Sequence, residues 1–122
     1  MIKGLHHNAY RCRDSEETRV FYEDFLGLQL VSAFEIGGGN ALHTFFQMDD
    51  GSCLAFFEVP GRPFDFKRQD DLDLHIALGV ENEVFNAMLA KGRAEGSRCA
   101  GRSTTVSSAR FISATPTAMS SN

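Results

Sequence analysis

The segment LHHNAY at residues 5–10 and the segment LDLHIAL at residues 72–78 are each followed at once by the pattern of an amphipathic helix. Apolar and polar residues alternate in both segments, which is typical of a β-strand with one buried face. The first segment carries His7 and the second carries His75. A strand that bears a histidine and leads into a helix therefore occurs twice. This repetition indicates an internal duplication that brings two metal ligands together.

The composition limits the classes to which the protein can belong. A chain of 122 residues, 43% of them hydrophobic, is one domain, or one domain made of two similar halves, and it can bury a core. A net charge of −4 argues against nucleic acid or an anionic membrane as the main partner. No apolar run approaches the roughly 20 residues of a membrane helix, and the N-terminal residues do not resemble a signal peptide.

The cysteines indicate a reducing compartment. Cys12, Cys53 and Cys99 are odd in number and form no C-x-x-C motif. We interpret them as reduced thiols of a cytoplasmic protein, and not as a disulfide framework or a zinc site.

Residues 1–58 are predicted to form a β-α-β-β-β module. The first strand spans residues 3–12, and Asp14 then caps a helix that runs to about Leu26 and ends at Gly27. Three more strands are predicted after the helix, separated by turns at residues 37–40 and 49–51; their ranges are 28–35, 41–48 and 52–58.

Residues 59–71 contain two prolines and several charges, and they are predicted to be a linker. A strand over residues 73–80 and a helix that Asn82 could cap, ending near Gly96, then begin a second module over residues 72–96 as β-α. The first half of the chain begins in the same order, which supports the duplication.

The chain changes character at Ser97. Residues 97–122 contain no Asp, Glu or Lys, but seven Ser and four Thr. This composition predicts a disordered tail. The duplication instead predicts three further strands over the same residues, so the two predictions conflict.

Two motifs resemble one known family. LHHNAY, followed by Asp14 and by FYEDFLGL at residues 21–28, resembles the opening of the vicinal-oxygen-chelate superfamily, which contains glyoxalases, bleomycin-resistance proteins and extradiol dioxygenases. DLHIAL at residues 73–78 resembles the opening of the second module of that family. The resemblance covers residues 2 to about 96, within a single domain over residues 1–122. It implies an α+β fold of paired βαβββ modules, whose curled sheets form a cleft for a metal.

The tail matches the family only in another reading frame. Members usually end in a segment like YFRDPDGYVIE, whose glutamate completes the metal site. After a frame shift near Gly96, residues 97–122 can be read as VAVRGPVDHGFIRAIYFRDPDGYVIE, with the glutamate spanning the codons of Ser121 and Asn122. The second base of each new codon is dictated by this protein, and it fits throughout. We therefore predict a frameshifted tail and a truncated second module; a natural low-complexity tail is the alternative.

The resemblance implies a metal site with His7 and His75 as its imidazole ligands and a glutamate as its third ligand. Two imidazoles and one carboxylate leave about three open positions on an octahedral metal, which suits Fe(II) binding substrate and oxygen side by side. Nickel, zinc and manganese are the alternatives. The glutamate is absent from this chain.

Other residues are weaker candidates for the site. His6 should point to the face opposite His7 and lie at the surface or an interface. His43 could act as an acid or base in the cavity, or it could be a partly exposed strand residue. In glyoxalase I enzymes a glutamate of the fourth strand is a further ligand, and the resemblance places it at Ala55. Glu58, a weak alternative ligand, lies three residues further and should face the other way.

The remaining candidate side chains are aromatic or basic. Phe45, Phe46, Phe56 and Phe57 should cover both faces of the sheet, where they either line a cavity for an aromatic substrate or form the core. The basic residues Lys3, Arg11 and Arg13 are predicted to be surface charges.

The resemblance implies that the parent protein is a metal-dependent enzyme, and the first hypothesis is a ring-cleaving dioxygenase that acts on a small catechol-like substrate. A glyoxalase I-type lyase or isomerase is the second hypothesis. A metal-free protein that sequesters a drug, as bleomycin-resistance proteins do, is the third. This chain lacks the third ligand and is predicted to have little or no activity. A homodimer is compatible with the resemblance, but each identical chain would lack the same glutamate.

Overall fold

The computed structural model describes residues 1–65, 70, 72–95 and 109–113. The chain divides into two compact units, residues 1–65 and residues 66–122. The boundary between them falls within the residues predicted to be a linker.

The first unit has the predicted order β-α-β-β-β, and the α+β fold class is confirmed. Its sheet has the strand order β1-β4-β3-β2. β1 and β4 are parallel, and the other two pairs are antiparallel. The four strands are β1 (His7–Cys12), β2 (Gln29–Ile36), β3 (Ala41–Gln47) and β4 (Cys53–Glu58).

The helix between β1 and β2 begins as predicted. The Asp14 carboxylate accepts a hydrogen bond of 2.8 Å from the backbone N–H of Glu17, so it caps α1 (Ser15–Arg19). The helix then widens into a π-helical segment, Val20–Phe25, which ends before Gly27 at a φ of 82°. The sequence had predicted one regular helix here, because apolar periodicity alone does not distinguish a π-helical turn from an α-helical one.

One face of the sheet packs against this helix and forms the core. Alternate residues of β3 and β4 point to that face, since Phe46 pairs with Leu54 and Thr44 pairs with Phe56. The core residues on this side are nearly fully buried: Cys12, Thr18, Tyr22, Leu26, Phe46, Leu54 and Phe56. The burial of this apolar surface is the main contribution to the stability of the unit.

The turn between β2 and β3 depends on glycine. Gly37, Gly38 and Gly39 all have positive φ angles, of 59°, 67° and 92°. The N–H of Asn40 donates to the carbonyl of Ile36 at 3.1 Å and closes the turn. Side chains with a Cβ rarely adopt this left-handed conformation, so the three glycines make the tight connection accessible.

The second unit contains β5 (Ile76–Val80), α2 (Asn82–Glu95) and β6 (Ala109–Ser113), and β5 and β6 are parallel. Two details differ from the predictions. The strand begins at Ile76, so His75 lies just before it. Asn82 is the first helical residue and not the cap. A strand also forms over residues 109–113, in the stretch where the duplication predicts strands. Gly96 and the rest of the tail, residues 97–108 and 114–122, lie outside the described residues.

The described part of the chain contains no helix long and apolar enough to cross a membrane. Cys12 and Cys53 are buried free thiols, and burial raises the pKa of Cys12. Cys99 lies outside the described residues.

Candidate functional site

The face of the first sheet opposite the helix carries the candidate site, and we call it the histidine face. Side chains alternate along each strand, so the register identifies its members. They are His7, Ala9 and Arg11 of β1, Cys53, Ala55 and Phe57 of β4, Ala41, His43, Phe45 and Gln47 of β3, and Ser32, Phe34 and Ile36 of β2.

Four rings of this face form an aromatic cluster: His43, Phe34, Phe45 and Phe57. The ring of His43 stacks on Phe57 with a centroid distance of 3.8 Å, and its centroid lies 4.4 Å from that of Phe45 and 5.4 Å from that of Phe34. Only 8% of His43 is exposed. The prediction of a partly exposed strand residue was therefore wrong, because three neighbouring rings cover the imidazole.

The environment of His43 favours its neutral form. Burial lowers its pKa below the ordinary value of 6.5, and the neighbouring charge of His7 lowers it further. The Nε2 atom is buried and has no hydrogen-bond partner among the described residues. A neutral imidazole with an unsatisfied nitrogen can donate to or accept from a bound molecule, which is what an acid or base at this position would require.

Acidification is expected to destabilise the first unit through His43. Between its lowered folded pKa and 6.5, the unfolded chain binds more protons than the folded chain, so the free energy of unfolding decreases as the pH falls through this interval. Thermal melts in buffer containing EDTA, from about pH 7.5 to about pH 5, should show a smaller loss of stability for His43→Phe than for the wild type. Equal slopes for the two proteins would show that His43 is not the titrating group.

His7 lies beside the aromatic cluster and is exposed. Its ring centroid is 5.1 Å from that of Phe45 and 6.3 Å from that of His43. Its Nδ1 is 2.7 Å from the Nδ1 of His6, so one of the two nitrogens carries a proton and donates a hydrogen bond to the other. His6 is exposed, as predicted, but its ring touches that of His7 and does not occupy the opposite face. Strand alternation fails there because the strand begins only at His7.

Glu58 and Ala55 lie on different faces of β4. Ala55 pairs with Ala9 and belongs to the histidine face, where it is fully buried. Glu58 points to the helix side, and its carboxylate accepts a hydrogen bond from the backbone N–H of Ser15. The Glu58 carboxylate thus stabilises the first turn of α1, which has free N–H groups. It faces away from His7.

The described residues do not form a complete metal site. No group of three or more His, Cys, Asp or Glu residues in the described ranges could hold a metal ion. His7 belongs to the first unit, and His75 is an exposed residue of the second unit that immediately precedes β5. The side chains of the histidine face that could ligate a metal are the imidazoles of His7 and His43 and the thiol of Cys53, and among the described residues of this face there is no carboxylate.

The sequence interpretation missed Arg11. It was predicted to be a surface charge, but it is half-buried on the histidine face, two pleats from His7. The alternation His7, Ala9, Arg11 could have revealed this, since residues i, i+2 and i+4 of a strand share a face.

The comparisons with known proteins agree on the fold. The family model described as Glyoxalase/Bleomycin resistance protein/Dioxygenase superfamily matches residues 4–106. No curated protein matches the sequence significantly.

Several solved structures are similar to the chain. The fosfomycin resistance protein FosX from Listeria monocytogenes, at pH 6.5, matches with a TM-score of 0.60 and 20% identity, over 79% of this chain and 74% of that chain. The same Listeria protein complexed with Mn(II) and a sulfate ion matches with a TM-score of 0.61 and 20% identity, over 79% and 74%. A glyoxalase family protein from Enterococcus faecalis matches with a TM-score of 0.57 and 24% identity, over 73% and 71%. These TM-scores show a shared fold, and at such identities they show the fold alone.

Proposed function

Because the chain belongs to the Glyoxalase/Bleomycin resistance protein/Dioxygenase superfamily, we propose that its aromatic cluster binds a small aromatic molecule and derives from the substrate site of a metal-dependent enzyme. The observation that carries the proposal is the position of His43, Phe34, Phe45 and Phe57 on one face, beside the exposed His7. Phe34 is 45% exposed, so part of the cluster is open to a ligand. Planar ligands pack well against such rings.

His7 and His75 are the proposed imidazole ligands of that enzyme's metal. The repeated strand-helix pattern in the sequence supports this assignment, and both side chains are exposed within their own units. A structural relative, FosX from Listeria monocytogenes, was solved with Mn(II), which supports a divalent metal. Fe(II) is the first candidate for the metal, with manganese, nickel and zinc next. Since the described residues supply no third ligand, we expect this chain to have little or no turnover.

Ring-cleaving dioxygenase chemistry on a catechol-like molecule is the finer proposal for the complete enzyme. The aromatic cluster supports it, because the ring of a catechol can stack on the rings of this surface. A glyoxalase I-type reaction is less well supported, since Ala55 stands where the resemblance places the additional glutamate ligand. Metal-free sequestration of a drug, as in bleomycin-resistance proteins, would use the same aromatic cluster without either imidazole as a ligand.

Binding of catechol to the metal-free chain tests the proposal. In a calorimetric titration with EDTA present, we expect saturable binding that Phe45→Ala weakens about two- to tenfold, since an aromatic pair contributes about 0.5–1.5 kcal/mol beyond its buried area. Phe25→Ala removes an equal ring from the π-helical segment and should leave the affinity within about twofold. Circular dichroism of both variants establishes that they are folded. A wild-type chain that shows no saturable binding contradicts the proposal.

A further inference from the structure

A cavity of about 760 Å³ opens in the first unit at the end of the histidine face remote from His7. His7 pairs with Cys53 at one end of the β1–β4 ladder, whereas Arg11 pairs with Phe57 at the other end. The cavity is formed by these last two residues, the glycine turn between β2 and β3, and the loop at residues 59–62. Its volume is in the range of sites that hold small molecules.

Two arginines line the cavity, Arg11 and Arg62. Arg11 donates from Nη2 to the carbonyl of Arg62 at 3.4 Å, but its Nε is buried and has no hydrogen-bond partner among the described residues. A buried donor without a partner is costly, and an oxygen atom of a ligand would satisfy it.

The charge of these two arginines is not balanced by the residues that line the cavity, which include no carboxylate within the described ranges. The other arginines near the start of the chain differ, because Arg13 pairs with Glu17 at 2.8 Å and Arg19 pairs with three acids of the helix. The Glu35 carboxylate lies close to Gly39 but is not among the residues that line the cavity. The residues that line the cavity therefore carry two positive charges, which favour an anion.

Apart from Asn40, the rest of the wall is apolar or lacks side chains. Ile36, Ala41, Phe57, Val59 and Pro60 supply apolar surface, and glycines of the turn and the loop leave space beside it. A site with two cations at one side and an apolar wall at the other fits a molecule that has an anionic head and a small apolar body.

We propose that this cavity binds a small organic anion, with phosphate or carboxylate oxygens held by the guanidinium groups of Arg11 and Arg62 and an apolar group against Phe57. The planar guanidinium presents N–H donors in a fork that matches such oxygens. The site is separate from the proposed metal ligands and does not require a metal.

Titrations of the full chain with phenyl phosphate, benzoate and neutral benzyl alcohol, in low salt with EDTA, test the proposal. We expect saturable binding of one or both anions, with benzyl alcohol at least about tenfold weaker. Arg11→Gln and Arg62→Gln should each weaken anion binding by at least about tenfold. Arg13→Gln is the matched control, since it removes an equal charge from an exposed ion pair outside the cavity, and it should change the affinity by less than about twofold.

Three results would overturn the proposal: no saturable binding of either anion, equal binding of benzyl alcohol, or equal losses for Arg13→Gln and Arg62→Gln. Arg62 lies on an exposed loop, so its variant keeps the test valid if Arg11→Gln does not fold. The anion titration and the catechol titration use different ligands and variants. Failure of one is therefore distinct from failure of the other.

Discussion

A gene with its reading frame restored after Gly96 is expected to yield a protein that binds a divalent metal at least about 100-fold more tightly than this chain. The restored ending supplies the glutamate that spans the codons of Ser121 and Asn122, beside the proposed ligands His7 and His75. Loss of a residue that only hydrogen-bonds a ligand already costs about 10–100-fold in metal affinity, so a ligating carboxylate should contribute no less. Titrations of both proteins with Fe(II) under argon, and with Mn(II), measure the difference.

Three variants of the restored protein make this experiment specific. His7→Ala, His75→Ala and replacement of the restored glutamate by glutamine should each remove most of the gain. Oxygen uptake with catechols then separates dioxygenase chemistry from isomerisation of a hemithioacetal. Genomic wobble bases that cannot encode the restored ending would refute the frameshift. Equal metal affinity of this chain and the restored protein would refute the assignment of the restored glutamate as the third ligand.

Phe56→Ala is expected to lower the free energy of unfolding of the first unit by about 3–5 kcal/mol. Phe56 is 1% exposed and lies against the rings of Tyr22 at 4.8 Å and Phe46 at 5.9 Å. Removal of the Phe56 ring would leave a cavity in the core. Urea unfolding followed by circular dichroism measures the effect.

Phe34→Ala is the matched control for this experiment. This substitution also removes a phenyl ring, but from the histidine face, where Phe34 is 45% exposed. It should lower the free energy of unfolding by less than about 1 kcal/mol. Similar losses for Phe34→Ala and Phe56→Ala would mean that the helix side of the sheet is not the core of the unit.

The first unit was predicted well because its signals are local. The cap at Asp14, the stop at Gly27 and the turn at residues 37–40 each depend on the chemistry of a few neighbouring residues, and the helix and the four strands follow from them. The opposite orientations of Ala55 and Glu58 also followed from strand alternation alone, and the structure places them so.

The sequence did not reveal how side chains from different strands combine. The burial of His43 results from rings on β2, β3 and β4, and which rings meet depends on the register between strands. The Arg11 cavity is likewise closed by a loop that is distant in sequence. His6 departed from simple alternation because it lies just before the strand begins. The frameshift remains a prediction, and so does the assignment of His7 and His75 as ligands of one metal ion.

The parallel pairing of β1 with β4 has a consequence for the order of folding. β2, β3 and β4 are joined by short turns and can form an antiparallel meander by local contacts. β1 must instead close a loop that contains the helix and two strands before it meets β4. Closing such a loop costs chain entropy before any contact offsets it. We therefore expect the strand that carries His7 to join the sheet last, and the histidine face to be completed in the final step of folding.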